Sequence, residues 1–424
     1  MPTATSYTNK LRYLAIAKDV KVQLPGGVSN TFRPGLSDMC SDFKTTSPEI
    51  TATTGGIITT FAGNGMTSVT GDGGLAVNAG LFAPTSVIAD LDGNIFYIDT
   101  NLIENTSTIR KINGNGIITN TGVTTSVGVE PFKSLTISEN VIYCSTRVAI
   151  FMLVQDGSGY RADIVYTVPT GILLSYIAFV STTPSTTFLA STSTDMSIYR
   201  ITLQYYDDVD EVLYSTTTVP FRGLGPLSVG SDDKPITLDS DGYLYVASSR
   251  YSGVGVFRRQ FYSVTRFSSD GSTLETDCGD ISRPTFFSNP AICLTGIAIG
   301  PDGSVYVSDA LLSLIIRIDK DTRNITTFAG GGPLPLFSGD GSLAIQSNLN
   351  TPSGIVFDTK SNLLICDTNN HRIRKVTPSV TTTIPGKTTY NPPWFAPVEY
   401  REICNCKINA PIAAETLIEI YDGL

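Results

Sequence analysis

Hydrophobic positions along this chain come in short runs that end at turn residues. VYVS (305–308) and LLIC (363–366) place apolar side chains at most positions of a strand-length stretch. That is the pattern of a strand covered on both faces. Asp92-Gly93, Asp241-Gly242 and Asp302-Gly303 stand just ahead of such runs. They read as hairpin turns, with glycine supplying the positive φ. A sheet of four such strands cannot bury both faces by itself, and radial packing of several sheets around an axis solves this while protecting their edges.

The runs also repeat as a set. ITTFAG occurs at 58–63 and again at 325–330, and each copy is followed by a GDG loop, Gly71-Asp72-Gly73 and Gly339-Asp340-Gly341. LAVNAGLFAPTSVIADLDGNIFYIDTN (75–101) then matches LAIQSNLNTPSGIVFDTKSNLLICDTN (343–369), with Pro84 on Pro352 and Asp99 on Asp367. Ile109-Arg110-Lys111-Ile112 falls on Ile373-Arg374-Lys375-Val376. Such density of matches marks an internal repeat. LTGIAIGPDGSVYVSD (294–309) opens a third clear copy, and looser copies begin near 134, 175 and 234. The expectation is an all-β, six-bladed propeller of four-stranded blades over residues 53–386, with the first and last units adjacent where the ring closes. Five or seven blades are the alternatives.

Residues 1–52 and 387–424 lack the repeat and read as N- and C-terminal extensions. Leu11, Leu14 and Ala15 share one face of a possible short helix within 8–18. With Tyr13 they are candidates for anchoring to a partner, or for packing on the propeller itself. NPPWFAPVEY holds the sole tryptophan, Trp394, beside Phe395, a large apolar pair suited to an interface.

Composition narrows the function classes. The net charge of −9 argues against phosphate neutralisation, so no nucleic-acid partner is expected. The seven cysteines contain no C-x-x-C pair, which removes zinc-ribbon and thioredoxin-like readings. No secretory-type apolar core heads the chain, and no run approaches the about 18 apolar residues of a membrane span. Neither membrane insertion nor a cofactor is expected.

PSGIVFDTKSNLLICDTNNHRIRK (352–375) closely resembles the NHL repeat, and ITTFAG followed by a GDGGLA-type segment also looks like NHL-containing propellers. Some NHL propellers are lyases with a histidine-rich zinc site. His371 is the only histidine here and cannot supply two or three imidazole ligands. It lies at the repeat's N-H-R position and reads as structural. RNA-binding NHL propellers use a strongly basic face, which this acidic chain does not offer. Arg110-Lys111 and Arg374-Lys375 could form a small basic patch or pair with nearby strand-end acids.

Lactonase-like calcium propellers bind their ion through carboxylates at the channel. Asp99, Asp309 and Asp367 end equivalent strands, and their recurrence favours a structural hydrogen bond over a metal site. Asp72 and Asp340 in the GDG loops remain candidates for an ion or a loop contact. YTNKLRYLAIAKDV, FRPGLSDMCSDF and the YDG-type ending resemble virion-associated proteins of large DNA viruses. The combined expectation is a non-enzymatic interaction or structural module with protein partners in a multi-subunit assembly, in a virus particle or otherwise in the cytoplasm. A calcium-dependent hydrolase and an extracellular adhesion propeller are the alternatives.

Overall fold

The computed structural model describes residues 20–23, 29–32, 50–52, 56–138, 140–182, 185–194, 198–205, 212–219, 235–252, 259–268, 274–280, 293–332, 337–377, 380–384 and 387–390. Leu11, Tyr13, Leu14, Trp394 and Phe395 lie outside them, as does the helix expected at 8–18. Internal contacts divide the chain into two units, the larger comprising Ile50–Thr381 with Thr389–Ala396. In the smaller unit, Val20–Gln23 and Ser29–Phe32 form an antiparallel hairpin. Among the described residues no helix is long and apolar enough to cross a membrane.

The larger unit is a six-bladed β-propeller of four-stranded antiparallel sheets. Blade 1 consists of Pro84–Ala89, Ile95–Asn101, Thr106–Ile112 and Ile118–Thr124, from the innermost strand outward. Blades 2 to 5 follow in chain order, with innermost strands Ser134–Ser138, Leu174–Ser181, Ile236–Leu238 and Leu294–Ile299. Blade 6 takes Pro352–Phe357, Leu363–Asp367 and Arg372–Thr377 from the end of the repeat region. Its outer strand is Ile57–Ala62 from the beginning. Ile373 pairs with Ala62 and Val376 with Ile58, so both ends of the repeat region lock the ring in one sheet. ITTFAG at 58–63 is therefore the outer strand of the last blade, just as ITTFAG at 325–330 is the outer strand of blade 5.

Burial follows the pattern read from the runs. Ile95–Thr100, Val305–Asp309 and Leu363–Asp367 are buried at every position, each being the second strand of its blade. Successive side chains along them alternate between the seams with the two neighbouring blades. In blade 1, Tyr97 joins the seam with blade 6 through Ala62, Leu364 and Ile373. Phe96 and Ile98 join the seam with blade 2 through Leu135, Ile142 and Leu153. Gly93, Gly242 and Gly303 in the Asp-Gly turns have φ of 80°, 83° and 77°.

Candidate functional site

Because strands alternate in direction, the connections between second and third strands emerge at one end of the ring. So do the links from one blade to the next. At this end the acids that close the second strands turn inward. Asp99 Oδ1 accepts from the backbone N–H of Phe82 at 2.8 Å and Ala83 at 3.0 Å. Asp309 Oδ1 accepts from Leu311 and Leu312, each at 3.0 Å. Asp367 Oδ1 accepts from Asn350 at 2.7 Å, and its Oδ2 accepts from Asn370 Nδ2 at 2.9 Å. Each acid thus fixes a connecting segment at the same end of its blade.

The GDG loops engage the third strand of the blade that they precede. Arg110, whose side chain is fully buried, donates to Gly80 O, Thr70 O and Asp72 Oδ1 at 2.9, 3.0 and 2.9 Å. The Nη1 that donates to Gly80 O also lies 3.6 Å from Asp99 Oδ2. Arg374 repeats the arrangement with Asp340 at 2.8 Å, Ser338 O at 3.1 Å and Asp367 at 3.4 Å. Asp340 also accepts from Thr60 Oγ1 at 2.7 Å. Asp72 and Asp340 are thus arginine partners that latch a loop over a blade. The signal was in the chain: blade 5 has Ile316 where blades 1 and 6 have arginine, and no GDG precedes it. Loop acid and strand base occur together or not at all.

Burial pushes the Asp99 carboxyl up to about 6, against the pull of Arg110 and the two N–H groups. Asp367 is raised for the same reason, opposed by Asn370, Asn350 and Arg374. Among the described residues no group of three or more His, Cys, Asp or Glu is placed to hold a metal ion.

His371 has φ 53° and follows a short 3-10 turn, Thr368–Asn370. Asn105 (φ 52°) and Ser313 (φ 56°) hold the same place in blades 1 and 5, immediately before the third strand. The position selects residues that tolerate the left-handed region, in which asparagine and histidine are enriched. The His371 ring is hydrogen-bonded through Nδ1 to the Phe82 carbonyl, tying blade 6 to the segment entering blade 1. The outer strand passes close by. A Cβ at Gly63 would come within 2.4 Å of the His371 carbonyl oxygen, and one at Gly330 within 2.3 Å of that of Ser313. This close approach explains why both ITTFAG copies end in glycine.

Hydroxyls connect the innermost strands around the channel. Ser86 Oγ accepts from Leu135 N–H, Ser134 Oγ from Ile177 N–H, and Thr295 Oγ1 donates to Pro352 O. Tyr176 of blade 3 crosses to blade 5, donating to Thr295 O at 2.7 Å.

One stretch of the rim exposes apolar side chains. Leu102 and Ile103 in the blade 1 connection are 68% and 88% exposed, and Val127 and Val129 in the link to blade 2 are 73% and 52% exposed. Val148, in the blade 2 connection, is also exposed. The backbone joins these segments: Thr125 N–H donates to Ser107 O, and Lys133 N–H to Ser145 O. Glu104 and Glu130 sit in the same segments as Lys133 and Arg147, so the charges there balance.

Fold and rim together define a six-bladed β-propeller with a latched interior and an apolar sector on one rim. The NHL repeat family matches residues 349–376, which span the three inner strands of blade 6. No curated protein sequence matches the chain. Among solved structures, a protein of unknown function from Bacteroides thetaiotaomicron VPI-5482 aligns at 15% identity over 75% of each chain, with a TM-score of 0.55. An auxiliary nutrient binding protein from the same organism aligns at 16% identity over 75% of each chain, with a TM-score of 0.51. A second auxiliary nutrient binding protein, from Bacteroides ovatus ATCC 8483, aligns at 14% identity over 76% of each chain, with a TM-score of 0.50. At these identities the likeness concerns the fold.

Proposed function

We propose that this propeller is a non-enzymatic interaction module, docking a protein partner with an apolar, weakly charged surface through the rim of blades 1 and 2. The observation that carries this reading is the sector formed by Leu102, Ile103, Val127, Val129 and Val148. Scattered exposed apolar residues need no explanation, but five of them in hydrogen-bonded connections on one rim suit an association surface. Balanced charge in the same segments fits a protein better than a polyanion. The strand-end acids that a calcium hydrolase would use are bound to their own backbone, which favours the interaction reading over that alternative. The resemblance of the terminal segments to virion-associated proteins supports placing the assembly in a virus particle.

The test is a photo-crosslinking residue at position 103 of the full chain, expressed in its native source. The expected result is one defined adduct that co-purifies in fixed stoichiometry, and that disappears when Leu102→Glu and Val127→Glu are added to the same chain. A chain recovered as a free monomer with no adduct, or an adduct indifferent to those substitutions, refutes the reading.

A further inference from the structure

Neighbouring residues on a strand face opposite sides of the sheet. Arg110 enters the latch described above, and Lys111 goes to the other seam, toward blade 2. There it lines a cavity of about 170 Å³ with Asn113, Thr119 and Asn120 of blade 1 and Gln155, Ser158 and Tyr160 of blade 2. On such a measure one water needs only about 10–15 Å³, so the cavity has room for a small ligand.

Its chemistry is one-sided. The Lys111 ammonium is half-buried and lies 5.3 Å from the centre of the Phe96 ring and 6.0 Å from that of Tyr160. These contacts support the cation but give its N–H groups no acceptor. Among the described residues the Lys111 ammonium has no hydrogen-bond or ion-pair partner. The Asn113 carbonyl oxygen accepts from the N–H groups of Asn115 and Ile117, both at 3.0 Å. The Asn120 carbonyl oxygen accepts from Gly122 N–H at 2.8 Å. With their acceptor ends committed, both amides are left with NH₂ donors. No carboxylate lines the cavity. Asp92 and Asp156 stand in nearby turns, and neither pairs with Lys111.

The repeat supplies an internal control. Arg317 holds the place of Lys111 in blade 5 and is neutralised by Asp302 at 2.8 Å and Asp319 at 2.9 Å. Arg266 holds it in blade 4 and lies 3.8 Å from Asp239. In blade 1 the counterpart of Asp319 is Asn113. Asp302 has its counterpart in Asp92, and blades 4 and 6 carry Ser268 and Thr377 at the Asp319 place, so what blade 1 has in place of blade 5's second carboxylate is an amide donor.

We propose that the seam between blades 1 and 2 binds a phosphate-type oxyanion, with Lys111 supplying the charge and Asn113 and Asn120 supplying amide donors. The anion takes the place that Asp319 fills in blade 5. The room beyond it suits a phosphate carried on a small polar molecule, with Tyr160 as one wall.

The test is a titration of the full chain with inorganic phosphate, and in parallel with glucose 6-phosphate, followed by ³¹P NMR at constant ionic strength. Saturable binding to one site is expected, weakened about tenfold or more in Lys111→Met and in Asn113→Asp, and retained in Lys111→Arg. Asn113→Asp restores the blade 5 arrangement and therefore keeps the test valid if Lys111→Met folds poorly. Tighter binding of glucose 6-phosphate than of phosphate supports a carried phosphate, and equal binding supports the free ion in the same site. Absence of saturable binding by either probe, or equal affinity in the Lys111→Met and Asn113→Asp variants, overturns the proposal.

Discussion

Replacing Arg110 with methionine tests whether the buried latch contributes to stability. Methionine fills much of the same volume and removes the donors. Gly80 O, Thr70 O and the two carboxylates then lose their partner. An unsatisfied buried acceptor costs about 1–3 kcal/mol, and breaking a buried ion pair about 3–5 kcal/mol. These figures overlap, and Asp72, 37% exposed, can return to water. The expected loss is therefore about 4 kcal/mol, or roughly 8 °C in Tm at about 2 °C per kcal/mol for a large domain. Thermal unfolding of the full chain followed by circular dichroism measures it. Two further results identify the cause. At pH 5 the deficit should shrink, because Asp99, already raised to about 6, takes a proton once its counter-charge is gone. The double variant Asp99→Asn/Arg110→Met should be more stable than Arg110→Met alone, since no charge is left buried. A loss below about 1 kcal/mol, or strictly additive single effects, would show that Arg110 merely fills space.

The wild-type protein should show a related pH dependence. The folded-state pKa of Asp99 is raised from 3.8 to about 6, so its contribution is fully present below 3.8 and lost as pH rises through 6. Stability from urea unfolding should therefore increase from pH 7 to pH 5 by an amount absent in Asp99→Asn, about 1.3 kcal/mol for the one unit between 6 and 5 at 1.36 kcal/mol per unit. Asp319 has the opposite sign, lowered to about 2 chiefly by the Thr322 N–H. Its contribution is present above 3.8 and lost as pH falls through 2, so Asp319→Asn should remove part of the acid-side loss in stability. At the left-handed position, His371→Asn should be tolerated better than His371→Val, by about 1–2 kcal/mol in denaturant midpoint; equal losses would mean that the backbone conformation there is of no consequence. Thr59→Pro in the closing strand should cost about 3 kcal/mol or more and open the ring to proteolysis between blades 6 and 1, which limited digestion reads directly.

Much of this fold was legible because the blade is written several times. Six units, Asp-Gly turns and fully buried second strands all follow from periodicity that a single copy would leave ambiguous. Closure was harder to read. Linear order attaches ITTFAG at 58–63 to the segment after it, whereas the copy at 325–330 ends a blade. That comparison assigns the strand to blade 6, where it pairs with Arg372–Thr377. Arg110 and Lys111 looked like one basic pair because they are adjacent in sequence. The two-residue period of a strand separates them into different seams with opposite fates. The apolar rim escaped notice because its members lie in connections of unequal length, where no repeat pattern exists to depart from.

The same contrast bears on where function resides in a repeat protein. A residue that recurs between blades is explained by what those blades share, and the strand-end acids and the left-handed position before the third strand, both found in blades 1, 5 and 6, are of that kind. His371 belongs with them: asparagine and serine hold its place elsewhere in the ring. Departures from the repeat carry more information about function, because the fold does not require them. At Asn113 blade 1 carries an amide where blade 5 has a carboxylate on its base, and between Asp99 and Thr108 it lengthens a connection and fills it with Leu102 and Ile103. Both departures lie in blade 1 or on its border with blade 2. The anion site and the apolar rim occupy opposite ends of that sector, so a substitution in one should leave the other's readout unchanged.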